Sequence, residues 1–105
     1  MSSSRVLALA IPFLVFAGCT WVKPEPGAEQ VAIRGVEQVA GCERIGRTTV
    51  SVRERVAAVQ RRPGKVEQEL ATLARNSAYE IGGNVIVADG PVSDGQRRYL
   101  VYRCE

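Results

Sequence analysis

The chain reads as a small α+β domain in the order strand, strand, helix, strand, strand, with one helix packed on a face of an antiparallel or mixed sheet. Three observations predict it. Val66, Leu70, Leu73, Ala74, Ala78 and Ile81 recur at spacings of three and four, the signature of a helix with one buried stripe. Short runs rich in β-branched residues stand on both sides of that helix. Glycine-bearing turn signals, Pro63-Gly64, Asp89-Gly90 and Asp94-Gly95, separate the runs.

The first strand falls within Gln30 to Arg34, where Val31 and Ile33 alternate with polar neighbours. Residues Val36 to Gly41 stay open between a turn and a continuation of it. Cys42 to Val52 is the second strand. Thr48, Val50 and Val52 share its parity with Cys42, so all four face one way provided no bulge intervenes at Gly46. Arg53 to Lys65 follows, carrying Arg53, Arg55, Arg61, Arg62 and Lys65 against Glu54 alone. The apolar run Val56-Ala57-Ala58-Val59 lies inside it, and Pro63-Gly64 is expected to end it as a turn. The segment is either a solvated loop or a surface for an anionic partner such as lipid phosphates or cell-wall carboxylates.

The helix is predicted over Val66 to Ile81. Glu67 and Glu69 are expected in its first turns, where acids complement the positive end of the dipole. Gly82-Gly83 then supplies a left-handed cap. Ala71, Ala74 and Ala78 are small enough to let the helix lie close to a sheet. Asn84 leads into the strand Val85 to Ala88. Asp94-Gly95 suits a two-residue hairpin turn, and the return strand Arg97 to Cys104 is apolar on both faces, as a central strand would be.

The N-terminal stretch has a separate logic. Met1 to Arg5 is short and cationic, Val6 to Ala17 is apolar, and Ala17-Gly18 is small, the layout of a cleaved signal peptide over residues 1–18. The apolar run of about a dozen residues falls short of the roughly twenty that a membrane-spanning helix needs. Phe16-Ala17-Gly18-Cys19 resembles the lipobox of bacterial lipoproteins, with Phe16 where leucine is usual. The resemblance implies acylation of Cys19. Thr20 in place of an aspartate implies, by the same resemblance, sorting to the outer membrane, facing the periplasm. Residues 19–29 then form a short linker to a domain over 30–105. Its Lys23-Pro24-Glu25-Pro26-Gly27 favours extended geometry, at about 3.1 Å per residue, or roughly 30 Å of reach at most. Trp21 and Val22 are either plain linker or an interfacial contact, since tryptophan favours the headgroup zone.

Cysteine arithmetic supports the lipid anchor. The chain has 3 cysteines, Cys19, Cys42 and Cys104, an odd count that leaves one thiol over in an exported protein. Acylation of Cys19 leaves an even pair, and a disulfide between Cys42 and Cys104 is predicted, as expected of a small domain in an oxidising compartment. Closing a loop of that size is worth roughly 4 kcal/mol. A redox pair usually takes the Cys-x-x-Cys spacing, which is absent, and two lone thiolates without histidine make a poor zinc site.

Composition limits function. The net charge is +3, and removal of Arg5 with the signal lowers it further, too little for nucleic-acid binding. With His 0, the commonest general base and metal ligand are missing. Ser51, Ser77 and Ser93 have no base to activate them. Glu67 and Glu69 point to different sides of the helix, so they do not form a glycosidase pair. An enzyme is not expected, nor a metal or any cofactor beyond the covalent lipid.

Cys19-Thr20-Trp21-Val22, Cys42 with Ile45-Gly46 and Thr49-Val50-Ser51-Val52, Leu70 to Ala78 with Gly82-Gly83-Asn84, and Val101-Tyr102-Arg103-Cys104 together resemble a family of small proteobacterial lipoproteins carrying a domain of unknown function. More distantly, Ala74 to Val87 is similar to the outer-membrane lipoprotein that senses envelope stress for the Rcs phosphorelay. A like pattern occurs in small cytosolic ring-forming proteins associated with heavy metals. The stress-sensing lipoprotein has a long proline-rich tether and two disulfides; here the tether is short and one pair is available. The expectation is a lipid-anchored, non-catalytic envelope module with an envelope protein, lipopolysaccharide or cell-wall partner, the alternative being a stress sensor. Arg53, Arg55, Arg61, Arg62 and Lys65, joined by Arg97 and Arg98, form its candidate anionic-partner surface.

Overall fold

A computed structural model describes residues 22–56 and 59–105. The predicted signal peptide, Cys19 and Trp21 lie outside the described residues, as do Ala57 and Ala58. The strands are β1 (Ala32–Ile33), β2 (Glu43–Ser51), β3 (Arg55–Val56), β4 (Val59–Gln60), β5 (Val85–Ala88) and β6 (Gln96–Arg103). One helix, α1 (Pro63–Glu80), stands between β4 and β5, and short 3-10 turns occupy Ala28–Gln30 and Val36–Val39. Four strands make a mixed sheet in the order β1-β5-β6-β2, and β3 and β4 pair apart from it. β1 runs parallel to β5, whereas β6 is antiparallel to both β5 and β2. The α+β class follows, with α1 on one face of the sheet.

The helix starts earlier than its apolar periodicity implies. Pro63 is not a turn that ends the basic segment; it is the first helical residue. Proline suits that position because its missing N–H has no intrahelical partner there and its φ is already helical. Glu67 and Glu69 consequently lie beyond the first turn, which holds no acidic residue, so the expected dipole pairing is not made. Val66, Leu70, Ala74 and Ala78 are buried as predicted, but Ile81 is the cap residue and is 54% exposed.

The helix ends in a Schellman motif. The Gly83 amide donates to the Ala78 carbonyl at 2.7 Å and the Gly82 amide to Tyr79 at 3.1 Å. Gly82 takes φ +91°, and a Cβ at Gly83 would overlap Val101 Cγ1. The glycine pair thus ends the helix and also lets it touch the sheet. Asn84 follows, and its side chain extends the ladder by one step. Its Nδ2 donates to the Cys104 carbonyl at 2.7 Å, and its Oδ1 accepts from the Cys104 amide at 2.8 Å.

β6 is central, between β5 and β2. Tyr99 and Val101 face α1 with Val50, Leu70 and Ile86, while Leu100 and Tyr102 pack on the other face with Val39, Val85 and Val87. The β2–β6 register shifts between Arg44 and Gly46, a bulge at Ile45. An extra residue reverses side-chain parity, so Cys42 belongs to the helix-free face with Val85 and Val87, not to the Val50 face that unbroken alternation gives it. The bulge, with Arg44 and Arg47, also blunts the exposed edge of β2. On the helix-free face Cys42 is bonded to Cys104, with Cα atoms 4.6 Å apart across a sequence separation of 62. Asp94 (φ 52°) and Gly95 (φ 71°) form the tight turn ahead of β6, both in the left-handed region that a type I′ hairpin requires.

Gly83→Ala is expected to cost about 1–3 kcal/mol by forcing α1 off β6, read from the midpoint of urea unfolding. Cys42→Ser with Cys104→Ser is expected to cost roughly 4 kcal/mol in the same measurement. Little change on removing the disulfide would show that the loop it closes is already ordered without it.

Candidate functional site

Two features meet on α1: the basic segment at its start and the N-terminal stem along its side. The basic segment is not a plain loop. Arg55–Val56 and Val59–Gln60 pair as a small hairpin, with Arg55 opposite Gln60 and Val56 opposite Val59. This pairing has little sequence signal, because two-residue strands are too short to show alternation.

The predicted cationic surface divides on inspection. Arg61 turns inward. Its Nη2 bonds Glu69 Oε2 at 2.7 Å and its Nη1 donates to the Arg53 carbonyl at 2.9 Å, with the two charged side chains only 22% and 12% exposed. Arg61 is therefore a brace between hairpin and helix. Arg53, Arg55 and Arg62 are exposed, and among the described residues their side chains make no hydrogen bond or ion pair. Lys65 is exposed in the first turn of α1. Val59, in the strand paired with β3, is 66% exposed.

Arg97 and Arg98 do not add to this surface. Arg97 donates to the Gly90 carbonyl at 2.9 Å, pairs with Glu67 at 3.2 Å and lies 5.7 Å from the centre of the Tyr99 ring. Burial raises the Tyr99 phenol above its ordinary pKa, and the Arg97 charge partly opposes that. Arg98 pairs with Asp89 at 3.0 Å. Glu67 and Glu69 thus serve two different arginines. Among the described residues no group of three or more His, Cys, Asp or Glu is placed to hold a metal, and no helix is long and apolar enough to cross a membrane.

The stem departs from the extended linker that its prolines imply. Asn76 on α1 clamps it twice: Nδ2 donates to the Lys23 carbonyl at 3.0 Å, and Oδ1 accepts from the Glu25 amide at 2.9 Å. Gly27 takes φ +92° under Tyr79, whose hydroxyl would lie 2.5 Å from any Cβ there. Ala28 is fully buried. The stem is therefore held against α1 from Lys23 onward. Asn76 gave no sequence signal, since an asparagine on a helix flank ordinarily faces solvent. Glu25 also meets Glu80. A hydrogen bond from that carboxyl, then partial burial, then its charge raise the Glu25 pKa.

Asn76→Ala is expected to release the stem while leaving the core intact. The Glu25 amide should lose about tenfold in hydrogen-exchange protection, as expected for a lost pair of exposed hydrogen bonds, with core amides unchanged. The Glu25–Glu80 contact makes docking depend on pH. Because docking raises the Glu25 pKa, the docked stem binds a proton more tightly than the free one. Docking is strongest below the ordinary carboxylate range and weakens as pH rises through the raised value. Glu80→Gln should flatten that profile and strengthen docking at neutrality, read as the protection factor of the stem amides against pH.

No curated protein matches this chain, and neither does any solved structure. One family does, described as Domain of unknown function (DUF4156), over residues 22–104. The matched span takes in the stem, the helix, every described strand and both bonded cysteines, and the chain belongs to this DUF4156 family.

Proposed function

We propose that this protein is a lipid-anchored, non-catalytic module of the bacterial cell envelope, held through acylated Cys19 at the outer membrane and facing the periplasm. The observation that carries the reading is the bond between Cys42 and Cys104, which leaves Cys19 with no cysteine of its own chain to pair with. A disulfide of this kind belongs to an oxidising compartment. The signal-like Val6 to Ala17 and the small pair before Cys19 supply the route there.

The non-catalytic part of the reading draws on the pairing of the described charges. Glu67 and Glu69 are engaged with Arg97 and Arg61, and a general acid or base needs an available carboxyl facing its substrate. Around the hairpin the exposed side chains without an ion pair among the described residues are cationic: Arg53, Arg55 and Arg62. The module's partner is accordingly anionic and lies in the envelope, a phosphate- or carboxylate-bearing lipid, glycan or protein, and not nucleic acid. A stem pinned from Lys23 onward suits a domain held close to its bilayer better than a sensor that must reach far from it.

Mass measurement of the mature protein, intact and after reduction, tests the anchor and the bridge together. The expected product begins at Cys19, carries fatty acyl groups and gains the hydrogens of one disulfide on reduction. An unacylated amino terminus would remove the anchor from this reading. Crosslinking in intact cells tests the module, and recovery of no protein, lipid or glycan through the Arg53–Arg62 surface would count against a binding role.

A further inference from the structure

We infer that the free edge of β2 docks an extended peptide segment of a partner protein, one that sets acidic side chains on the helix-free face and apolar ones on the helix face. The inference goes beyond the reading above. It concerns a surface other than the basic hairpin and stands whether or not Cys19 is acylated.

Two independent observations lead to it. The first is an open ladder. β2 ends the sheet, with β6 on one side and no strand on the other among the described residues. The register runs unbroken from Gly46 opposite Val101 to Ser51 opposite Gln96. Just beyond it, the Val52 amide donates to the Gly95 carbonyl at 2.8 Å. Antiparallel strands turn alternate residues toward their partner. Thr48 and Val50 share the parity of Val52 and face β6, so Arg47, Thr49 and Ser51 hold their N–H and C=O groups outward. All three are exposed. A strand added there meets main-chain donors and acceptors at regular spacing.

The second is what stands on either side of that edge. Cross-strand partners share a face, so Arg44 opposite Tyr102 and Arg47 opposite Leu100 both lie on the helix-free face. The bulge makes this so, since unbroken alternation puts residues three apart on opposite faces. The two arginines are thus same-face neighbours, about 7 Å apart along the strand. Both are exposed, and neither makes an ion pair among the described residues. Glu43, the acid of β2, lies opposite Arg103 instead. Like charges side by side repel, and an acidic side chain on an adjoining strand relieves that repulsion. On the helix face Ile81 is 54% exposed and lies over the same strand, its Cδ1 3.2 Å from where a Cβ at Gly46 would stand. Acidic on one face and apolar on the other is the period-two alternation of an extended chain. A second copy fits poorly, because its own Arg44 and Arg47 add like charge to the edge.

The test uses the full mature chain, isotope-labelled and held in neutral detergent micelles. The probe is a capped peptide of about six residues, a usual strand length, that alternates glutamate with valine. A peptide alternating lysine with valine is the control. Hydrogen exchange at the amides of Arg47, Thr49 and Ser51 reports the edge. With the glutamate peptide about tenfold above its Kd, exchange there should slow about tenfold, and the lysine peptide should have no effect. Thr49→Pro removes an outward N–H that the ladder does not use. It should leave the unfolding midpoint close to the parent's and abolish peptide protection at Arg47 and Ser51. Arg44→Glu with Arg47→Glu should weaken the glutamate peptide about tenfold and let the lysine peptide bind in its place, a reversal that decides the matter even if Thr49→Pro fails to fold. No protection of the parent, or full-strength peptide binding to folded Thr49→Pro, overturns the docking edge. Equal binding of both peptides overturns the acidic partner. Protection that grows with protein concentration alone assigns the edge to a second copy and overturns the peptide. Inorganic phosphate bound as tightly as the peptide assigns Arg44 and Arg47 to a simple anion and overturns it too.

Discussion

Close approach of α1 to β6 is the constraint on which the rest of the molecule depends. Ala74, Ala78 and Gly83 present almost no bulk to the sheet, so Leu70 and Val66 can interdigitate with Tyr99, Val101 and Ile86. In a domain this small little apolar surface is available for burial, and one loosely seated helix would forfeit much of it. The Schellman turn follows from the same approach. It must release the chain directly into β5, and the glycine pair allows this because one member takes positive φ and the other has no side chain to meet Val101.

From that turn the order passes to the opposite face. Asn84 is delivered beside Cys104 and holds its backbone by two hydrogen bonds, in effect adding a rung between β5 and the end of β6. The bulge at Ile45 brings Cys42 to the same face. Among the described residues, the 3-10 turn through Val39 and the disulfide cover this side. The two faces are therefore secured differently, one by helix packing and the other by a covalent bolt over a small apolar cluster. The bolt stands where burial is thinnest.

The outer side of the helix does other work. Its start receives the hairpin through the Arg61–Glu69 brace, and its later turns hold the stem through Asn76 and Tyr79. One rigid rod thus relates the cationic hairpin to the segment that leads toward Cys19. The reading proposed above draws on the exposed Arg53, Arg55 and Arg62 beside this arrangement.

Much of this was legible residue by residue. The stripe from Val66 to Ala78, the cap at Gly82-Gly83, the turn at Asp94-Gly95 and the doubly apolar final strand depend on local periodicity and local φ preference, and those properties are carried by neighbours in the chain. The cysteine pairing was legible by counting. Other features lay outside local reach. Whether Gly46 carries a bulge, and so which face Cys42 occupies, depends on the register that β6 imposes. Whether Arg61 is a brace or a free cation depends on a glutamate eight positions on in α1 and a carbonyl eight positions back across the hairpin. Whether the proline-rich stem is extended or docked depends on an asparagine 51 positions from Glu25. The sequence by itself determined the elements, their order and the covalent staple, because each is set by short-range sterics and burial period. The partners of its charges and of its stem were decided only when tertiary packing brought distant backbone and side-chain groups within hydrogen-bonding distance.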